Sequence, residues 1–277
     1  MSEVHRLQSG TATLAPLTSK EKRAWAQDGF FVREAVFSGT ELERLRAGAE
    51  AAAARAAQQV RSDPLARTYH LDGKRFVDVG PRTVQFEHQA GSEDVKVIEP
   101  VQDLDPVLSA LVEDPRLTGP MRALLGADAL SLWTDKLNLK RPGVGSGFGW
   151  HQDAPYWAHD HPQPTALPNV MVTFDDADAD NGCFAAIRAS HLEGCLPGTD
   201  DGTQLGGFYT DPARYELADA VRFEVPAGSL VFFHPSVVHG SEPNRSARAR
   251  RAMVITYQAG HAPALKTRSL RAIPSAR

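Results

Sequence analysis

The chain has 277 residues, and its 30 Lys and Arg nearly balance its 34 Asp and Glu, leaving a formal net charge of −4. A chain of this length buries a full core, while near-neutrality argues against a nucleic-acid groove or attraction to an anionic membrane. With only two cysteines, Cys183 and Cys195, a disulfide scaffold or a cysteine-built zinc site is not expected.

Residues 1–17 read as a flexible tail, and 18–277 as a single domain with no linker or internal repeat. "MSEVHRLQSG" lacks the apolar core of a secretory leader, and no apolar run approaches the length of a membrane span, so a cytoplasmic protein is expected. "TSKE" (Thr18 to Glu21) and "TELE" (Thr40 to Glu43) both fit the capping box, in which a hydroxyl and a glutamate satisfy orphan N–H groups at a helix start. The second opens an amphipathic run to about Val60, with Leu42, Leu45, Ala49 and Ala56 on one face. Asp105-Pro106 and Asp114-Pro115 each pair an N-cap with a first-turn proline, predicting two short helices.

From about Ala129 the pattern changes. "ALSLWTDKLNLK", "NVMVTFDD", "AVRFEV", "SLVFFH" and "RAMVITYQ" are short apolar or alternating segments punctuated by Gly, Pro, Asn and Asp. They predict an antiparallel β region. Helices early and strands late give an α+β fold, mainly β, with N-terminal helices buttressing the core.

Within that region, "GFGWHQDAPYW" (Gly147 to Trp157) sets His151 and Asp153 two residues apart. On a strand both point to one face, while Trp150 and Gln152 point to the other. An imidazole and a carboxylate on one face are two parts of a metal site. The third comes from "VFFHPSVVHGSEPNRS", where either His234 or His239 satisfies the pattern. Two histidines and one carboxylate leave open positions on iron, the arrangement of non-haem Fe(II) oxygenases. Arg250, at the start of the returning strand, is placed to clamp the carboxylate of an organic acid.

Other polar residues have plainer readings. His159 and His161 lie among prolines and read as a loop or pocket rim; His70, His88, His191 and His261 read as solvated or locally hydrogen-bonded. "DADADNG" (Asp176 to Gly182) is not a calcium loop, because Asn181 and Ile187 stand where Gly and Glu are needed. It reads as a turn with Asn181-Gly182 at its corner. Lys136 and Asn138 share one strand face and are candidates to reach an organic acid from the opposite wall. Trp157 and Tyr156, with Phe148 and Trp150, are candidate pocket aromatics. Arg82 and Gln85 are candidates for a segment closing over the site.

At these motifs the chain resembles the phytanoyl-CoA dioxygenase family of Fe(II)/2-oxoglutarate oxygenases. The resemblance runs from about Leu17 to Tyr257. It rests on "LTSKEKRAWAQDGFFV", "KRPG" before "WHQD", "DDADADNGCFAAIRASH", "VPAGSLVFFHPSVVHGSEPNRS" and the pair Arg250-Arg251. It departs from the family at Arg188 and Ala189, where Pro-Gly is usual, and at Met171, where many members carry tryptophan. The family implies a double-stranded β-helix (jelly-roll) core, Fe(II), 2-oxoglutarate and O₂. It selects His239 over His234, so that His151, Asp153 and His239 match the metal-binding catalytic residues. It also implies that Arg250 holds the distal carboxylate of 2-oxoglutarate, with Ser241 beside it.

The expected activity is hydroxylation of an unactivated C–H bond of a small metabolite, with release of succinate and CO₂. Family members that halogenate carry Gly or Ala where Asp153 stands, so a carboxylate there favours hydroxylation. Desaturation, epoxidation or rearrangement is the alternative on the same centre, and a non-catalytic binding module is a more distant one. The expected partner is a small molecule, with no nucleic acid and no membrane, and the chain a monomer or homodimer. No Lys or Arg lies between Trp150 and Cys183, which argues against a phosphate-rich acyl-CoA. Lys74, Arg75, Arg82 and Arg188 remain as other sources of charge. An amphipathic, phosphate-free substrate is expected, such as an amino-acid derivative or natural-product intermediate.

Overall fold

Thr18 caps the first helix as its spacing predicts. Its hydroxyl accepts from the Glu21 N–H at 3.1 Å, and the Thr18 N–H donates to Glu21 Oε2 at 2.8 Å. The computed structural model describes residues 17–274. The expected tail lies outside the described residues except for Leu17, which is buried in the core. Helix α1 (Ser19–Asp28) leads into strand β1 (Phe30–Arg33) and then helix α2 (Gly39–Ser62). The second capping box lies two residues earlier than "TELE". "SGTELE" holds two overlapping boxes, and Ser38 with Glu41 takes the start, leaving Thr40 inside the helix. Leu42, Leu45, Ala49 and Ala56 form the buried stripe, as their periodicity predicts.

Four strands follow that the sequence reading did not place: β2 (Arg67–Leu71), β3 (Lys74–Val79), β4 (Arg82–Phe86) and β5 (Val95–Glu99). β3, β4 and β5 alternate in burial over most of their length and β2 has no buried residue, but all four are short and lie in a region that reads as helical on either side. The two Asp-Pro helices, α3 (Pro106–Leu111) and α4 (Pro115–Leu125), start where predicted. Asp105 and Asp114 accept from Val107 N–H and Arg116 N–H, both at 2.9 Å.

The late strands are β6 (Leu130–Lys140), β7 (Phe148–His151), β8 (Asn169–Thr173), β9 (Ala185–Ala186), β10 (Val221–Arg222), β11 (Leu230–Phe233), β12 (His239–Ser241), β13 (Arg250–Ala259) and β14 (Ala272–Ile273). A single helical turn, α5 (Ala154–Trp157), follows β7. "AVRFEV" contributes only the two residues of β10 rather than a full strand.

Among the described residues, ten strands form a major sheet in the order β1-β11-β8-β13-β6-β5-β4-β3-β2, with β14 also on β6. Four form a minor sheet, β10-β9-β12-β7. All pairings are antiparallel, and the architecture is the expected jelly roll with helices against it. Alternation on β11 shows how one strand serves two cores. Leu230 and Phe232 pack on the helix side with Leu42, Leu45 and Ala49, while Val231 and Phe233 face Phe184, Phe223 and Val237 on the minor-sheet side. Each such fully buried Leu, Val or Phe contributes ~1.5–3 kcal/mol. The space between the sheets is thus lined from both, and the candidate site opens there.

A buried ion pair ties α1 to β1. Arg33 Nε donates to Glu21 Oε1 at 2.7 Å, and both side chains are about nine-tenths buried. Burial opposes ionisation of Glu21, but the bonds from Arg33 and Thr18 outweigh it and hold the carboxyl below its usual range. A depressed carboxyl adds stability above the unfolded-state value of ~4.3 and loses it as pH falls through the folded value. Glu21→Ala leaves Arg33 buried without this partner and should cost ~3–5 kcal/mol at pH 7. Urea denaturation of both proteins checks this, and the gap should narrow steadily below about pH 4.

Candidate active site

Strands β7 and β12 pair so that His239 lies directly opposite His151. Directly opposed residues project to the same face, and the two imidazole rings stand 4.2 Å apart between centroids. Asp153 arrives differently from the strand alternation expected of it. β7 ends at His151, and Asp153 takes a helical conformation (φ −77°, ψ −37°) as the cap of α5. Its N–H and that of Ala154 both donate to Pro235 O, at 2.9 and 3.0 Å, which turns the carboxylate back to the histidines. One ligand atom from each of His151, Asp153 and His239 lies within 4.8 Å of the others; among the described residues no other group of three His, Cys, Asp or Glu does so.

The surroundings fix each donor. His151 Nδ1 lies 2.7 Å from Gly149 O and His239 Nδ1 lies 2.9 Å from Val237 O. A carbonyl only accepts, so Nδ1 carries the proton and Nε2 keeps its lone pair for a metal. Burial, then the adjacent His239, pushes His151 down to about 3, and burial lowers His239 as well. Both rings are therefore neutral ligands at pH 7. Burial opposes the charge on Asp153, but the Lys136 ammonium 3.6 Å away outweighs it and holds the carboxyl below its usual range. Two neutral nitrogens and one carboxylate are a donor set that would suit Fe(II), and all three residues line one cavity.

Asn169, fully buried on β8, orients the carboxylate. Its Nδ2 donates to Asp153 Oδ2 at 3.0 Å, and its Oδ1 accepts from the Thr256 hydroxyl at 2.6 Å. Loss of a partner that orients a metal ligand typically weakens metal binding ~10–100-fold. Asn169→Ala should weaken Fe(II) binding by that factor, read by anaerobic metal titration, while the protein still folds.

The triad opens into a cavity of about 420 Å³. Arg250 lines it, is 3 % exposed, and leaves Nε without a hydrogen-bond partner. Its neighbours are committed elsewhere: Arg248 pairs with Asp178 at 2.5 Å, and Arg251 with Asp175 at 2.7 Å and Glu50 at 3.0 Å. Burial pulls Arg250 down to about 10, against the pull of Cys183 and Asp175, and it remains a cation at pH 7. Ser241, at the end of β12, lines the same cavity, and its hydroxyl accepts from Lys140 Nζ at 2.8 Å. Lys140, which is also buried, binds the carbonyls of Gly182 and Glu242. The turn at "DADADNG" brings Gly182 to Lys140 and to the Glu242 carbonyl. Asn181 and Asp178 exchange hydrogen bonds at 3.0 Å, and Gly182 takes φ +70° with a Cβ-sized space already filled by Glu242 O.

Lys136, Asn138, Gln85 and Tyr156 all line the cavity. Lys136 Nζ sits 3.6 Å from Asp153 Oδ1, so it faces the triad. Two candidates are elsewhere. Arg82 is buried against Pro100 O, Gln59 and Asp103 at 2.6–2.9 Å, where it braces α2 against the loop after β5. Trp157 is 2 % exposed and packs with Trp133 and Leu167, because the turn of α5 that presents Tyr156 outwards turns Trp157 inwards. His234 also lies outside the cluster, between the rings of Trp25 and His191. His159 is exposed, and His161 packs on Trp133. Of the four scattered cations, Arg75 meets Glu93 and Arg188 pairs with Asp28, leaving Lys74 alone in the cavity wall. Lys96, Glu99, His88 and Tyr209 also line it and were missed as site residues. The signal for β5 was present in "VKVIE", whose alternation puts Val97 and Glu99 on one face, but a β-bulge between Gln85 and Phe86 that brings in the neighbouring residues leaves no mark in the sequence.

The profile of the phytanoyl-CoA dioxygenase (PhyH) family matches residues 25–252. The chain belongs to that family. As a member, it is a dioxygenase of the 2-oxoglutarate-dependent non-haem iron class, which is what the motifs imply. It is 30 % identical over 187 residues to an L-proline trans-4-hydroxylase of Streptomyces griseoviridis, covering 61 % of this chain and 69 % of that one. An ectoine dioxygenase of Bordetella parapertussis is 26 % identical over 260 residues, 87 % of this dioxygenase and 75 % of the relative. A crystal structure of EctD from S. alaskensis with 2-oxoglutarate and 5-hydroxyectoine superposes with a TM-score of 0.66 at 23 % identity, over 92 % of this chain and 80 % of the other. Among the described residues, no helix of this family member is long and apolar enough to cross a membrane.

Proposed function

We propose that His151, Asp153 and His239 hold Fe(II), that Arg250 and Ser241 receive the distal carboxylate of 2-oxoglutarate, and that the enzyme hydroxylates a C–H bond of a small polar metabolite. The observation that carries this reading is the convergence of the triad and one buried, unpaired arginine on a single cavity. A cation buried without a counter-charge is costly unless a ligand supplies one. When bound, Fe(II) and 2-oxoglutarate would activate O₂, one oxygen atom ending in succinate as CO₂ is lost and the other in the hydroxylated substrate.

The protein's own residues do the positioning. The Nδ1–H bonds of the two histidines and the Asn169–Asp153 bond fix the ligand atoms, and Lys136 keeps the carboxylate charged. Asn138 and Gln85 offer amide groups to the substrate side, and Tyr156 closes one rim by stacking on Phe208 at 4.6 Å. A cavity of about 420 Å³ suits a compact metabolite and does not enclose an acyl-CoA. That Asp153 is a carboxylate favours hydroxylation over halogenation.

The test is succinate release by the Fe(II)-loaded enzyme against a panel that includes L-proline, ectoine, further amino-acid derivatives and an acyl-CoA with its free acid. A small metabolite should stimulate release well above the rate without substrate, with a product heavier by one oxygen. Turnover coupled only to the CoA thioester, or no 2-oxoglutarate consumption at any iron loading, contradicts the reading.

A further inference from the structure

The cavity has a second basic end, built by strands that the metal site does not use. Lys74, on β3, donates from Nζ to the Tyr209 hydroxyl at 2.8 Å. Lys96, on β5, donates to Gly147 O at 2.8 Å and lies 2.9 Å from His88 Nε2. Among the described residues, neither lysine forms an ion pair with a carboxylate. Glu87, the acid whose charge Lys96 feels, gives its Oε2 to the Ser146 N–H and hydroxyl at 2.9 and 2.6 Å. The acids that line the cavity, Asp153 and Glu99, act on Lys136 instead. Burial, and Lys74 beside it, leave Lys96 at about 7 against the opposing pull of Glu87. The Lys74 ammonium, bonded to a phenol and, among the described residues, to no carboxylate, is the charge at this end that lacks its partner.

The end is also held in shape. Asp72, at the tip of the β2–β3 hairpin, accepts from Gln204 N–H and Leu205 N–H at 2.8 and 2.7 Å. Tyr209 bridges to the His151 backbone, and its ring lies against Gly149, where an added Cβ would come within 2.9 Å of it. The segment bearing Tyr209 is thus fastened to the hairpin bearing Lys74, next to a metal-ligand strand.

This end is distinct from the Arg250 end. In the sheet order β13-β6-β5-β4-β3, the strand of Lys74 is four steps from that of Arg250, roughly 19 Å along the sheet at ~4.8 Å per step. Lys96, two steps from β13, stands between the two ends and acts on the charge of Lys140. We propose that Lys74 and Tyr209, backed by Lys96 and His88, form the subsite for an oxyanion carried by the primary substrate, a carboxylate or a phosphonate. A charged oxyanion accepts from an ammonium and a phenol together, and such charge-assisted bonds both fix orientation and reject neutral analogues. The subsite extends the reading above, since it assumes that 2-oxoglutarate takes the Arg250 end.

The experiment is anaerobic calorimetry on the Fe(II)-loaded protein saturated with 2-oxoglutarate, titrated separately with acetate, methylphosphonate and methylammonium. At least one of the two anions should bind and methylammonium should not; which anion binds more tightly assigns carboxylate or phosphonate. Lys74→Gln should weaken that anion at least tenfold, Lys74→Arg should restore most of it, and 2-oxoglutarate affinity should stay within twofold in both. Lys74 is half-buried on a hairpin, so both variants should fold. Binding of neither anion, or a Lys74→Gln defect in 2-oxoglutarate rather than in the anion, overturns the subsite. A wild-type protein that binds the anion through Lys74 but not 2-oxoglutarate overturns the function proposed for the Arg250 end and leaves this subsite standing.

Discussion

His239→Ala should abolish turnover and weaken Fe(II) binding by more than ~100-fold, beyond the effect of losing an orienting partner alone. The argument is geometric. His239 Nε2 stands 3.8 Å from Asp153 Oδ2, opposite His151, and Val237 O fixes its tautomer. His234→Ala is the matched control: its Nδ1 accepts from Ser236 N–H at 3.0 Å and its ring packs on Trp25 and His191. It should lose some stability but keep its iron. Metal analysis of both purified variants, beside circular dichroism to show that each is folded, decides the assignment. Full iron in His239→Ala would sink it.

Arg250→Ala should raise the KM for 2-oxoglutarate steeply while iron stays bound. Removing one partner of a desolvated, hydrogen-bonded charge pair costs ~2–5 kcal/mol, or roughly thirtyfold to several thousandfold in affinity. Lysine at this position should rescue only in part, because it offers one point charge in place of a planar fork. The flanking arginines sharpen the comparison. Arg251→Ala breaks the pairs to Asp175 and Glu50 and should lower stability with little change in KM. If Arg250→Ala leaves KM unchanged, the carboxylate binds elsewhere in the cavity.

Local chemistry made much of the fold legible. Thr18, Asp105 and Asp114 start helices where a short polar side chain meets an exposed N–H, and nothing distant competes. The strands β6, β8, β11 and β13 show their apolar runs because both of their faces are covered. The strands β2 to β5 were not placed because their outer members are half-exposed and pair only within a meander, so their sequences carry less apolar signal. At the site, the motifs pointed to His151, Asp153, His239 and Arg250, and the structure brings all four to one cavity. Trp157 and Arg82 show the limit. Which of two adjacent aromatics faces the cavity depends on one turn of backbone, and whether an arginine meets a substrate or a loop carbonyl depends on contacts made across the fold. Lys96 and His88 are legible only after β5 has been laid beside β6.

The pairing of β7 with β12 joins segments far apart in the chain. Loop closure has to precede their contact, so the two imidazoles and the carboxylate do not exist as a chelating set until the jelly roll has closed. A newly made chain therefore offers iron no ready grip, and metallation follows folding. Iron held by the closed sheet and not by the open chain also shifts the equilibrium towards the native state by mass action, by about 2.7 kcal/mol when free metal is a hundred times its Kd. Thermal unfolding of the proposed iron-loaded protein should accordingly move to higher temperature as free Fe(II) rises.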